Sequence, residues 1–166
     1  MIWGMTTSTF TLVHVVLSLV GIFAGFIVMG GLLGGKGLEG WTAVFLATTV
    51  ATSVTGFGFP IHHLGPPHYV GVLSLLVLAV ALLARYAFRL SGAWRRIYVI
   101  SAVIALYFNV FVGVVQAFQK VPGFKEIAPT QSEPPFLIVQ ICVLVLFVVL
   151  AITATRKFAA VSVRTA

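Results

Sequence analysis

The chain has 166 residues, 60% of them apolar and only 8% charged, with a mean hydropathy of +1.15; soluble domains carry about a quarter charged residues, so this composition excludes an ordinary soluble domain and describes an integral membrane protein. The formal charge of +7 would suit nucleic acid in a soluble protein, but here Lys and Arg fall between apolar runs, where they act as topological signals rather than as a nucleic-acid footprint. The single cysteine, Cys142, excludes an intrachain disulfide and a CxxC motif, and its apolar neighbours predict a buried, inert thiol.

A membrane-spanning helix needs about 20 mostly apolar residues, and five stretches meet that length when Gly, Ser and Thr are tolerated. The first is Phe10 to Leu33. The ten residues MIWGMTTSTF carry no basic n-region of a secretory signal, so this run is read as a retained helix. The second, Trp41 to Phe59, is the least apolar, because LATTVATSVTGF must satisfy its hydroxyls within the helix or on a neighbour. His68 to Phe88, Ile97 to Phe118 and Pro135 to Thr155 complete the set. Between them lie a glycine-rich turn, GGLLGGKGLEG, a proline-broken turn, FPIHHLGPP, and a loop, KVPGFKEIAPTQSEPP, that contains Lys125, Glu126 and Glu133 and is expected to be solvated. Pro135 suits the first turn of its helix. Trp3, Trp41 and Trp94 fall at predicted helix ends, as an interfacial aromatic belt requires. The predicted fold is all-α, a single polytopic bundle of five transmembrane helices over residues 1–166.

Charge sets its orientation. Eight of the ten basic residues (Lys36, Arg85, Arg89, Arg95, Arg96, Arg156, Lys157 and Arg164) fall on one side, against Lys120 and Lys125 on the other. The positive-inside rule then places the N-terminus outside and the C-terminus in the cytoplasm.

Small and polar residues mark the faces turned from lipid. On the first helix His14, Ser18, Gly21 and Gly25 follow one helical stripe, and the Gly21-x-x-x-Gly25 pair lets a neighbour approach closely. On the fourth, Tyr98, Ala102, Ala105, Asn109, Gly113, Gln116 and Lys120 share a stripe whose polarity rises toward the outer end. Thr48, Thr52 and Thr55 share a face of the second helix, and Gln140 lies less than two turns inside the fifth.

The five-span topology places His14, His62, His63 and His68 on the same outer side, with His14 about four residues, ~6 Å, below its helix start. Neutral imidazole binds copper, zinc or haem iron, and a pair of them on adjacent helices suits haem b; Gly21, Gly25, Gly56, Gly58 and Gly71 would relieve crowding against a planar ligand. Plainer roles stand beside this one. His62 and His63 sit in a loop and can simply solvate a helix end, His68 can cap its helix, and His14 can make an interhelical hydrogen bond. Asn109 and Gln116 likewise serve either as pocket lining or as amides that lock helices together. The chain has three carboxylates, all glutamate and all outside the spans, which argues against carboxylate-driven transport.

The stretches NVFVGVVQAFQKVP, APTQSEPPFL and FLATTVATSVTGF, with His63-Leu64-Gly65-Pro66-Pro67-His68, resemble a group of small multi-spanning bacterial membrane proteins to which no activity is attached. The resemblance implies a bacterial inner membrane and carries no site residue with it. Three functions fit the residues. The first is binding of haem b or copper through His14 with His62, His63 or His68. The second is a non-enzymatic subunit, either a homo-oligomer or part of a larger membrane complex, packing through Gly21, Gly25 and Gly113. The third is a small transporter, or a quinone or lipid site lined by Ser18, Thr52, Thr55, Asn109, Gln116 and Gln140.

Overall fold

The computed structural model describes residues 1–59 and 66–164. It is all helical, 82% helix, with no strand among the described residues. The helices are α1 (Thr7–Leu33), α2 (Glu39–Gly56), α3 (Pro66–Leu82, continued by a π-helical turn, Leu83–Ala87), α4 (Trp94–Lys120), a short α5 (Pro122–Ile127) and α6 (Pro134–Arg164). Four helical stretches are long and apolar enough to cross a bilayer: Thr7–Leu33, His68–Ala87, Trp94–Lys120 and Pro134–Phe158. The second expected span is not among them, since α2 has only 18 residues and too many hydroxyls to qualify by composition.

Local chemistry sets the boundaries. The Thr6 hydroxyl caps α1 by accepting from the Thr9 amide at 3.1 Å. At the other end Gly35 takes φ +71°, a left-handed conformation that costs glycine little, and the Lys36 amide returns to the Gly31 carbonyl at 2.7 Å. The loop expected after α4 is partly helical. Pro122 occupies the first turn of α5, where its missing N–H costs nothing, and Phe124 stacks on Phe118 with ring centroids 5.2 Å apart.

Without water to squeeze them together, membrane helices associate through close packing and hydrogen bonds. Here α1 packs on α2, α4 and α6, α4 also packs on α3 and α6, and α2 also packs on α3. The α1–α2 pair is antiparallel along its length: Gly31 meets Leu38, Gly25 meets Phe45, Gly21 meets Thr48 and Thr49, and His14 meets Thr55. Each step back along α1 is matched by a nearly equal step forward along α2, a shared run of ~25 Å. Gly21 and Gly25 permit this. A Cβ at Gly25 would sit 2.5 Å from Leu106 Cδ1 and 3.0 Å from the Phe45 ring, and one at Gly21 3.2 Å and 3.3 Å from the Thr48 and Thr49 hydroxyls.

The main core lies in the half of the bundle that bears the basic residues. It joins Val28, Met29 and Leu32 of α1, Phe45 and Leu46 of α2, Leu78 and Ala81 of α3, Tyr98 to Leu106 of α4, and Phe147 and Phe158 of α6. A smaller cluster of Phe118, Ala128 and Phe136 closes the opposite end. Cys142 corrects its expectation: it is exposed on α6 rather than buried. In a bilayer an apolar neighbourhood marks the lipid face as readily as the core, and α6 is the most lipid-facing helix of the four, with Ile138, Ile141 and Val145 all exposed.

Candidate functional site

The hydroxyls of α2 organise the polar interior. Thr48 and Thr55 donate to carbonyls of their own helix, Val44 at 2.7 Å and Ala51 at 2.7 Å. Thr49 accepts from the Asn109 amide of α4 at 3.0 Å, Thr42 accepts from the Tyr98 hydroxyl at 3.5 Å, and Ser53 pairs with Ser74 of α3 at 3.0 Å. Thr52 Oγ1 is buried without a partner among the described residues. These links explain how a helix of modest hydropathy survives inside an apolar bundle, because nearly every hydroxyl is satisfied. Thr49 and Ser53 stand beside the expected Thr48–Thr52–Thr55 face, whereas Thr42 and Ser74 were not among the residues expected to matter. The i, i+7 spacing of Thr42 and Thr49 was the available signal.

His14 stands at the non-basic end. The helix begins at Thr7, so the imidazole lies two turns in, ~10 Å, deeper than the four residues expected. Its Nδ1 is 2.8 Å from Thr55 Oγ1. That oxygen is also 2.7 Å from the Ala51 carbonyl, so one arrangement has the threonine proton between those two oxygens. In that arrangement the imidazole supplies the proton of its own bond: Nδ1–H donates, and the neutral ring carries its lone pair on Nε2. Phe59 stands edge-on to the ring at 5.2 Å, Phe10 edge-on to Phe59 at 5.1 Å and Trp3 edge-on to Phe10 at 5.5 Å. Ser18 spends its hydroxyl on the His14 carbonyl at 2.8 Å.

The other expected residues divide. Asn109 and Gly21 meet at the α1–α2–α4 junction. Gly113 has only Ile22 Cδ1 at 3.6 Å from a would-be Cβ, an ordinary contact. Gln116 and Lys120 are exposed on the outer end of α4. Gln140 is buried and donates to the Phe111 carbonyl at 3.3 Å, while its Oε1 lacks a partner among the described residues. His68 packs on Phe57, ring centroids 6.2 Å apart, so His14 and His68 flank different phenylalanines of the segment that ends α2. His62 and His63 lie outside the described residues, and among the described residues no group of three His, Cys, Asp or Glu is placed to hold a metal ion. Two glycines expected to make room for a planar ligand are already filled by the chain itself: the Phe10 ring is 2.7 Å from a would-be Cβ at Gly58, and the Phe57 ring 3.0 Å from one at Gly71.

At the opposite end a second polar group appears that the sequence did not single out. Arg85, within the π-helical turn, lies 5.3 Å over the Tyr98 ring, and its Nη1 is buried without a partner among the described residues. Arg95 lies 5.1 Å over the Phe158 ring and reaches its carbonyl at 3.4 Å. A π-helical turn is itself a frequent mark of function, but nothing in the linear pattern of α3 announces it.

Comparison with protein-family models, with curated proteins and with solved structures gives no match.

Proposed function

We propose that the protein is a small inner-membrane component of a bacterium that binds a ligand at its non-cytoplasmic end through Nε2 of His14. The observation that carries this reading is the Thr55 bond. An imidazole whose Nδ1–H is held by a fixed acceptor presents Nε2 as a ready ligand, the arrangement typical of metal-binding histidines, whose second-shell partners set tautomer and ring orientation. The ligand class is copper or haem iron. Because Phe10 and Phe57 fill the notches at Gly58 and Gly71, the reading favours the compact copper ion over the haem b macrocycle.

The topology belongs to the same proposal. All five long helices cross the membrane, α2 included, since it accompanies α1 in antiparallel register and its hydroxyls are largely satisfied. The N-terminus lies outside and the C-terminus in the cytoplasm, because eight of the ten basic residues gather at one end. The bacterial inner membrane in this reading rests on the resemblance of the 45–57, 63–68, 109–122 and 128–137 stretches to small bacterial membrane proteins.

The test is elemental analysis and absorption spectroscopy of detergent-purified protein after exposure to copper, and separately to haem. One equivalent bound, and lost in His14→Ala, supports the reading; a protein that remains metal-free and colourless with all histidines present overturns it. A second reading, an accessory subunit of a larger complex, draws on the exposed Gln116 amide in the outer third of α4, a group that is costly to leave against lipid. It predicts co-purification with a partner in mild detergent that Gln116→Trp disrupts and His14→Ala does not.

A further inference from the structure

α4 and α6 leave between them an apolar groove of about 470 Å³, walled by Ile100, Ile104 and Tyr107 on one side and Val148, Ile152 and Thr155 on the other. It opens sideways, toward lipid, with Ile100 43% and Ile152 50% exposed. From Ile100 to Tyr107 it runs ~10 Å, about two-thirds of the ~15 Å hydrocarbon depth of one leaflet.

Helical spacing shows what stands at its mouth. One turn before Ile100 on α4 comes Arg96, and one turn after Ile152 on α6 comes Arg156; both are exposed, and Lys157 is exposed beside them. Each wall of the groove thus ends in a guanidinium. Carboxylates are scarce at this end. Glu126 and Glu133 belong to the connection at the far end of both helices, which leaves Glu39, at the start of α2, as the one carboxylate at this end against Lys36, Arg85, Arg89, Arg95, Arg96, Arg156 and Lys157. Thr155, on the wall next to Arg156, has its Oγ1 buried without a partner among the described residues, a spare donor where apolar wall gives way to charge.

We propose that this groove holds one acyl chain of an acidic phospholipid, with the lipid phosphate clamped between Arg96 and Arg156 and an ester carbonyl beside Thr155. Guanidinium groups suit phosphate oxygens through paired N–H donors, and basic pockets between membrane helices are recurrent headgroup sites. Charge also argues against a second copy as the occupant. Copies inserted in the same orientation would bring Arg96 and Arg156 against their own counterparts, and the repulsion would be worst where the groove is most open.

The test uses the full chain in detergent and reads lipid occupancy by native mass spectrometry, with added dioleoyl phosphatidylglycerol or dioleoyl phosphatidylcholine. Phosphatidylglycerol should be retained preferentially, and Arg96→Gln or Arg156→Gln should each weaken it about fivefold, the effect of one basic side chain at a membrane surface. Ile104→Trp, which fills the groove, should displace both lipids, while helicity measured on every variant reports folding. Equal retention of the two lipids, or unchanged retention in the arginine variants, overturns the proposal. So does displacement of the lipid by inorganic phosphate alone, which would mark a bare anion site, and so does a dimer that Ile104→Trp dissociates and phosphatidylglycerol leaves intact. None of these readouts depends on His14.

Discussion

Replacing Thr55 by valine tests the logic of the His14 site directly. Valine keeps the shape and removes the hydroxyl, so His14 Nδ1–H loses its acceptor at 2.8 Å and the Ala51 carbonyl loses its second donor at 2.7 Å. Hydrogen bonds between membrane helices average about 0.6 kcal/mol and reach about 1.7 kcal/mol; His14 is only half-buried, so the stranded donor recovers part of the loss. A destabilisation of about 1 kcal/mol is expected, or a fall in Tm of about 2–4 °C for a chain of this size, read by circular dichroism in detergent. Thr55→Ser, which keeps the acceptor, should stay within about 0.5 kcal/mol. The tautomer is the sharper readout. Nitrogen-15 NMR of the neutral His14 ring should show Nδ1 protonated in the parent chain and a shift toward Nε2–H in Thr55→Val, and copper affinity should fall about 10–100-fold with loss of the supporting partner. A double-mutant cycle with His14→Phe should give a coupling near the single-bond value. If the two substitutions are additive within about 0.3 kcal/mol, and the tautomer is unchanged, the argument from the shared threonine proton is wrong.

Other expectations follow from the same geometry. Gly25→Val places carbon against Leu106 and Phe45 where a Cβ already lies 2.5–3.0 Å away, and should cost about 1–3 kcal/mol by overpacking; Gly30→Ala, with nothing within 4 Å, should gain up to about 1 kcal/mol from helix propensity, and thermal unfolding distinguishes the two. Asn109→Leu strands the Thr49 hydroxyl and should lower stability by about 0.6–1.7 kcal/mol, with most of that loss absent when Thr49→Val is already in place. Arg89 holds φ +49° in the turn after the π-helical segment, so Arg89→Gly should relieve left-handed strain and raise stability by about 0.5–1 kcal/mol. Glu133 is fully exposed; slight desolvation pushes its carboxyl up, but bonds from the Thr130 hydroxyl and the Thr130 and Ser132 amides outweigh that and hold it below the usual carboxylate range. A lowered folded-state value means that its contribution is complete above the unfolded value and is lost as pH falls through the folded one. Amide protection factors across Ala128 to Glu133, corrected for the intrinsic pH dependence of exchange, should therefore fall as the medium is acidified through that range, and Glu133→Gln should remove that fall.

How much of this was legible beforehand depends on what each residue needed as a partner. Apolar runs declare themselves, because a helix in lipid must be apolar over its own length, and the four longest were plain. The glycine stripe of α1 was equally readable, since Gly21 and Gly25 have little other use on one face of an apolar helix. α2 is harder for a physical reason. A hydropathy scale counts each threonine as polar, yet Thr48 and Thr55 are satisfied by their own backbone and Thr49 by Asn109 sixty residues away; the first kind of bond is local and could be anticipated, the second is invisible without the fold. α5 was missed because Pro122 and Gly123 read as breakers, whereas proline at a first turn begins a helix as readily as it ends one. Cys142 was placed inside because apolar context signals a core in water, a rule that loses its force when the solvent is itself apolar.

The same reasoning separates the two ends of the bundle. In the basic half the core is dense, with Tyr98, Leu106, Phe45 and Leu32 almost fully enclosed, and its cations outnumber the one carboxylate there, Glu39. In the other half α4 pulls toward the surface, its stripe changing from buried Tyr98, Ala102 and Ala105 to half-buried Asn109 and Gly113 and then to exposed Gln116 and Lys120. A helix that grows more polar while it loses cover is not optimised for packing there. His14, held by Thr55 at that uncovered end, is the ionisable group within a span whose hydrogen bonding leaves a lone pair to offer, and intramembrane ionisable groups are expensive to keep without a use. The fold thus packs most densely at the basic end and most loosely at the end where His14 meets Thr55.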